Sequence, residues 1–412
     1  MRNALSFKLR EPQIVACCNA GMHGWYRKRG PFDVSPFSDA AWQSPGAPVV
    51  FGKDWFIGFL NETGGRFGWD GRTTLTVDMP EGQELFMRTG VDPYSAWDEY
   101  NARLAEARGA AAAPTAGFPR ITYTTHVEQH WYAGMENRHP QDVMSERFVL
   151  DQTERIKKLG LPPGALIIKN GWFSTRRPGT YGDWRFDEDK FPDPKGLAAH
   201  LKSLGYLPGI WIAPALVSTH SEYCKSGGAT DGRWLFHSEK YPSEECRTAV
   251  LDRRLESALA ETIRYLADLG FGILYLDLLY LERGRMMELQ RRIAEIATRT
   301  APELWVIGHL SDPYRAAPRY AHRVYDVHIL PGSDWVEETR MRWLVNRYSS
   351  PLAPTLWGSI GGSNPFMLEE EFMDHWRLYQ DDRKAPFIGL LPDRFAPRTI
   401  ARFRRQLDEL LS

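Results

Sequence analysis

The chain has 412 residues, 43% of them hydrophobic and 25% charged, with 51 lysines and arginines against 52 aspartates and glutamates. That length exceeds one small core and allows one to three domains. The balanced charge, with no long basic stretch, argues against a nucleic-acid partner. No apolar run approaches the roughly 20 residues needed to span a bilayer.

Residues 1–20 lack a basic start followed by an apolar run, so no signal peptide and a cytoplasmic location are expected. The four cysteines, Cys17, Cys18, Cys224 and Cys246, show no CxxC metal spacing. Reduced thiols are expected, with a Cys224–Cys246 bridge left open.

The first hundred residues carry short hydrophobic runs broken by glycine and proline, such as Val49-Val50-Phe51 and Trp55-Phe56-Ile57-Gly58-Phe59. Thr73-Thr74-Leu75-Thr76-Val77 alternates as a half-buried strand does. Residues 1–108 therefore read as a small β-rich, sandwich-like domain ending in a helical stretch, Tyr94 to Arg108. The alanine-rich segment 109–117 reads as a linker.

From residue 118 to 412 the pattern becomes strand, then helix, repeatedly. Strands are predicted at 120–127, 165–170, 209–214, 272–278, 304–310, 322–329, 352–358 and 385–391. Helices are predicted over Asp142–Lys158, Gly196–Leu204, Arg254–Leu269, Met286–Thr300, Glu337–Val345, Leu368–Tyr379 and Pro397–Leu411. Eight such units fit a (β/α)8 TIM barrel. An open doubly wound sheet is less suited, because no glycine-rich phosphate turn follows any strand.

Two aspartates interrupt the apolar strands. Asp277 lies in Gly272-Ile273-Leu274-Tyr275-Leu276-Asp277-Leu278, and Asp326 lies in Val324-Tyr325-Asp326-Val327-His328. Burying an unpaired carboxylate costs several kcal/mol, so each needs a reason. Barrels gather their chemistry at the carboxyl ends of the strands, where two facing carboxylates can split a glycosidic bond. The alternative for each is a salt-bridged strand-end aspartate.

The segment Asn170-Gly171-Trp172, then Gly182-Asp183-Trp184, Lys190-Phe191-Pro192 and Gly209-Ile210-Trp211-Ile212-Ala213-Pro214 resembles the α-galactosidase-type glycoside hydrolases, family 36 and its clan. A lesser likeness extends to family 31. The resemblance covers most of residues 120–330, continuing through Leu251-Asp252, Gly308-His309, Asp312-Pro313 and Arg323. It implies a retaining hydrolase of α-linked sugars that needs no cofactor or metal. It makes Asp277 the nucleophile and Asp326 the general acid/base, with Asp334 in reserve.

An oligosaccharide or glycoside is then the expected substrate, and homo-oligomerisation is left open. Candidate substrate contacts are Lys169, Asn170, Trp172, Asp183, Trp184, Trp211, Arg283, Arg323 and Trp357. Tryptophan faces pack against the apolar side of a sugar, and cations hold its oxygens. Arg285 is a further candidate of that kind.

Two departures from the family pattern stand out. Lys169-Asn170 occupies a position that is usually acidic, and Tyr275 stands where the family tends to carry a lysine two residues before the nucleophile. A cation has in effect moved from the fourth strand to the second. If Lys169 points inward, it can stabilise Asp277 or contact a sugar oxygen or carboxylate. Two other classes compete. His126, His130, His309, His328 and Asp393 near strand ends allow a metal-dependent TIM-barrel hydrolase, although His126 and His130 are read as straddling a strand end. The substituted sugar subsites allow a non-catalytic carbohydrate-binding barrel.

Overall fold

The computed structural model describes residues 2–9, 16–18, 42–45, 49–60, 65–92, 95–96, 99–100, 102–103, 106, 117–173, 180–228, 230–236, 246–277, 283–308, 319–323, 355–356, 366–380 and 386–412. Described residues through Glu106 fall in one compact unit, and those from Gly117 onward fall in a second.

The first unit holds β1 (Arg2–Lys8), β2 (Ala16–Cys18), β3 (Trp42–Pro45), β4 (Val49–Phe51), β5 (Trp55–Phe59), β6 (Arg66–Trp69), β7 (Thr74–Pro80) and β8 (Leu85–Thr89). They form two four-stranded antiparallel sheets, ordered β1-β7-β6-β3 and β2-β4-β5-β8. Alternation sorts the side chains. Val50, Trp55, Ile57 and Phe59 pack with Phe67, Trp69, Leu75 and Val77 of the other sheet. Val49, Phe51 and Phe56 point the other way and meet Ala96 and Tyr100 of a helical stretch, whose Tyr100 hydroxyl donates to the Phe59 carbonyl at 2.7 Å. Between β6 and β7, Asp70 Oδ1 accepts the N–H groups of Arg72, Thr73 and Thr74. These bonds, Thr74's above all, bring its carboxyl down to about 2.

The second unit is built on one eight-stranded sheet. In chain order its strands are β9 (Thr122–Thr124), β10 (Ala165–Ile168), β11 (Leu207–Ile212), β15 (Ile273–Leu276), β16 (Trp305–Gly308), β17 (Tyr320–Arg323), β18 (Thr355–Leu356) and β19 (Phe387–Ile388). The numbers between belong to β12 (Leu216–Ser218), β13 (Thr230–Phe236) and β14 (Cys246–Ala249), a small antiparallel sheet ordered β12-β14-β13. The large sheet is ordered β18-β17-β16-β15-β11-β10-β9-β19, and every pairing in it is parallel. Its first strand therefore lies beside its last. All eight predicted strand segments overlap a strand of this sheet, although two of these strands, Leu207–Ile212 and Tyr320–Arg323, begin two residues early and only residues 322–323 of the predicted 322–329 are described. The small sheet was not anticipated.

Helices follow the strands: α1 (His126–Glu136), α2 (Pro140–Val143), α3 (Glu146–Lys158), α4 (Pro194–Ser203), α5 (Glu222–Lys225), α6 (Arg253–Asp268), α7 (Arg283–Thr300), α8 (Glu369–Gln380) and α9 (Pro397–Leu411). Side-chain caps set several starts. Ser145, Asp193 and Asp252 accept N–H bonds from Phe148, Gly196 and Leu255, each satisfying an amide that has no partner within its helix. Ser145 also explains why the predicted helix 142–158 is two helices: the chain is extended at Met144 and Ser145 before α3 begins. In α6, Leu255, Leu259, Thr262, Ile263 and Leu266 are buried, the spacing of one helical face. The predicted helix 337–345 lies outside the described residues.

One expectation is corrected. The first strand ends at Thr124, so His126 and His130 do not straddle a strand end. They sit one turn apart on α1, their rings edge to face with centroids 4.6 Å apart. Cys224 and Cys246 are free thiols, in line with the reduced state expected of them.

A buried ionic cluster joins the first and last units of the sheet. Glu128 on α1 is fully buried. Its carboxylate accepts from Arg155 on α3 at 2.6 Å, from Arg394 after β19, and from the Leu391 amide at 2.9 Å. Arg155 also holds Asp393 through two bonds of 2.5 and 2.7 Å. Burial opposes the Arg155 charge, but Asp393 and Glu128 outweigh it and raise its pKa. Removing Glu128 would leave two guanidinium groups facing one another without their shared anion. Glu128→Ala is therefore expected to lower stability by about 3–5 kcal/mol, read as a fall in the denaturant midpoint. A loss under about 1 kcal/mol would show that the cluster does not hold the two segments together.

Candidate active site

Asp277 follows the last residue of β15, at the carboxyl edge of the parallel sheet, and is only 6% exposed. Its amide continues the ladder, donating to the Ile212 carbonyl at 2.9 Å. Lys169 stands at the matching end of β10, 5% exposed, with its amide donating to Thr125 Oγ1 at 2.9 Å. The register explains why these side chains meet. Ile168 pairs with Ile210, and Trp211 pairs with Tyr275, so Lys169, Trp211 and Tyr275 lie level on three neighbouring strands. Asp277 is two residues beyond Tyr275, on the same face of the sheet.

Two donors converge on one carboxylate oxygen. Lys169 Nζ lies 2.7 Å from Asp277 Oδ2, and Trp211 Nε1 donates to the same atom at 2.8 Å. The ammonium also stands over the Tyr275 ring, 4.4 Å from its centroid, and 5.5 Å from that of Trp211. A cation at this distance stabilises the ionised carboxylate, the state a nucleophile or an electrostatic stabiliser requires.

Behind this pair lies a close-packed aromatic block. Trp172 is fully buried and donates its indole N–H to the Trp211 carbonyl at 2.8 Å. Phe173 stacks on Trp211 with centroids 6.3 Å apart, while Trp184 stacks with Trp172 and meets Trp211 edge on. The turn after β10 is fixed from several sides. Gly171 has φ 107°, and a Cβ there would come 2.9 Å from backbone atoms of Gln141, so only glycine fits. Lys190 donates to the Gly171 and Phe173 carbonyls, and Gln129 donates to the Asn170 carbonyl at 2.6 Å. Asn170 and Tyr181 are joined through Asn170 Nδ2 and the phenol oxygen at 3.0 Å.

The Gly182-Asp183-Trp184 turn has a local role. Trp184 has φ 52°, a left-handed conformation that a bulky residue holds only when its surroundings impose it. Asp183 accepts the amides of Glu222 and Tyr223 at 3.1 and 3.2 Å, tying this turn to the start of α5. The structure thus brings Lys169, Trp172, Trp184, Trp211 and Asp277 together and places Asn170 and Asp183 on the turns beside them. Arg283 opens α7 and Arg323 closes β17, with side chains outside the described residues, as is the Arg285 side chain. Asp326, Asp334, Trp357, His309 and His328 also lie outside them. Among the described residues there is no group of three or more His, Cys, Asp or Glu side chains suited to hold a metal ion, and no helix long and apolar enough to cross a membrane.

Sequence reasoning did not anticipate the Trp211 bond to Asp277 or the place of Tyr275 under the Lys169 ammonium. The odd-numbered parity of 275 and 277 was visible, but the pairing of three strands was not. The ion pair predicts a stability coupling. Asp277→Ala, which strands a buried ammonium, is expected to cost about 3–5 kcal/mol. Lys169→Met combined with Asp277→Leu should cost clearly less than the sum of the single changes in a double-mutant cycle by denaturant unfolding. Strict additivity would mean that the two charges do not interact.

Residues 145–277 match the Melibiase family, a stretch that runs from the cap of α3 to Asp277. An Escherichia coli alpha-galactosidase is 36% identical over 80 residues, 18% of this chain and 11% of that protein. The alpha-galactosidase AgaA of Geobacillus stearothermophilus is 31% identical over 105 residues, 24% of this chain and 14% of the relative. The aligned segments thus span a small part of both curated relatives. In structure, a family 36 AgaA variant in complex with raffinose covers 99% of this chain and 62% of its own, at 14% identity and a TM-score of 0.64. The Thermus thermophilus alpha-galactosidase TtGalA, in complex with p-nitrophenyl α-D-galactopyranoside, covers 98% of this chain and 89% of its own, at 15% identity and a TM-score of 0.68. In sequence around its buried ion pair, and in fold along nearly its whole length, this chain is similar to the α-galactosidases of glycoside hydrolase family 36.

Proposed function

We propose that the chain is a retaining glycoside hydrolase of α-galactosides. One observation carries the reading: the segment matching Melibiase ends on a buried strand-end carboxylate whose charge is balanced by a lysine and oriented by a tryptophan. The sheet order, with first and last strands adjacent, supports a closed (β/α)8 barrel over 118–412, linked through 109–117 to the β-rich domain 1–108. In this reading Asp277 attacks the anomeric carbon from one face of the sugar. Asp326 protonates the departing glycosidic oxygen, and the bond between that oxygen and the anomeric carbon breaks. Asp326, now a base, takes a proton from water as the water oxygen displaces Asp277, which returns as a carboxylate. Two inversions at one carbon leave its configuration retained.

Asn170, Trp172, Asp183, Trp184, Trp211, Arg283, Arg323 and Trp357 shape the surrounding pocket in this reading. Their inner members act through the aromatic block that holds the walls still. Oligosaccharides with a terminal α-linked galactose are the substrates proposed, consistent with the raffinose and aryl galactoside bound to the solved relatives.

The test is nitrophenol release from a panel of aryl α-glycosides: galactoside, glucoside, N-acetylgalactosaminide and galacturonide. The galactoside is expected to be turned over fastest, and Asp277→Asn to lower kcat at least about 10³-fold. The first-formed sugar, followed by NMR, should be the α-anomer. Turnover that survives Asp277→Asn intact, or a β-anomer released first, would sink the mechanism.

A further inference from the structure

Lys169 has no ordinary reason to be buried. It is only 5% exposed, and Trp211 and Tyr275 lie level with it on the next two strands of the sheet. Lysine at a strand end normally extends its ammonium to water. Here the ammonium meets Asp277 Oδ2 at 2.7 Å, the Tyr275 ring at 4.4 Å and the Trp211 ring at 5.5 Å. Trp211 then supplies its own N–H to the same carboxylate oxygen.

We infer that Lys169, seated on the face of Tyr275, is the positioning residue of Asp277, setting the aim of its carboxylate instead of binding sugar. The inference rests on the reading of Asp277 as nucleophile. Two donors from two different strands on one oxygen fix both torsions of a short side chain. A displacement of about 1 Å in a nucleophile can cost on the order of 10² in rate. The aromatic rings serve the cation: they surround it with negative π faces and exclude water from it.

The geometry also makes the cation transferable. Tyr275 stands two residues before Asp277 on the same face, about 6.6 Å along the strand, within reach of an extended lysine. An ammonium projected from position 275 would therefore occupy nearly the same point as the one now projected from 169.

The experiment is steady-state kinetics on the aryl glycoside that the wild type turns over best. The variants are Asp277→Asn, Lys169→Met, Lys169→Arg, Tyr275→Leu and Lys169→Met with Tyr275→Lys, each confirmed folded by circular dichroism. Lys169→Met is expected to lower kcat about 10²-fold with KM within about threefold. Adding Tyr275→Lys should restore at least about tenfold of that loss, which a purely structural or sugar-binding lysine would not show. Tyr275→Leu should lower kcat about tenfold, with KM again little changed. If Lys169→Met fails to fold, Lys169→Arg keeps the charge but misplaces it, and its kcat must fall in the same way. A raised KM at unchanged kcat in the Lys169 variants would make Lys169 a substrate contact and overturn the inference. Asp277→Asn inactive with both Lys169 variants at wild-type kcat would overturn the inference alone. A wild type without turnover, or an Asp277→Asn with full turnover, would overturn the reading of Asp277 and this inference with it.

Discussion

Charge neutrality inside the sheet edge is the constraint on which the rest of the site depends. Asp277 and Lys169 are each almost fully buried, and neither charge is tolerable there alone. Removing one partner of such a pair commonly costs about 3–5 kcal/mol, whereas the intact pair adds little net stability. Its value therefore lies elsewhere, in fixing where one carboxylate oxygen points. That depends on strand register, because the two residues are 108 positions apart and meet only if β10, β11 and β15 stay level. A one-residue slip would turn Lys169 or Asp277 to the opposite face.

Much of the neighbouring sequence can be understood as holding that register and the turn above it. Gly171 lets the chain pass Gln141 closely, Lys190 ties down the carbonyls of the turn, and Trp172 bonds to the Trp211 backbone. Trp211 is thereby held by its main chain while its indole N–H reaches Asp277. Phe173 and Trp184 fill the space on either side. Motifs that look like separate sugar-binding signatures along the chain thus converge on one packed support. Asp183 illustrates the point, because its carboxylate caps α5 through two backbone amides.

The sheet was legible in the sequence because each strand is a short apolar run between amphipathic segments, and parallel strands buried on both faces leave that signature. Asp277 was legible because a charge in such a run is anomalous. What the chain did not reveal depends on pairing or on weak local signals. Helix α1 escaped because its apolar stripe is thin and its buried face includes Glu128 and Gln129, polar residues whose partners come from distant segments. The small sheet β12-β14-β13 escaped because its antiparallel pairing lies outside the strand–helix repeat.

The places of Lys169 and Tyr275 show how neighbouring strands converge on one charge. The resembled family tends to carry its lysine two residues before the nucleophile; here that position is Tyr275 and the lysine is Lys169. In the sheet the two positions flank Trp211 at a single level, with the Lys169 ammonium on Asp277 and over the Tyr275 ring. The physical requirement is an ammonium within hydrogen-bond distance of Oδ2, and a parallel sheet offers more than one strand from which to supply it.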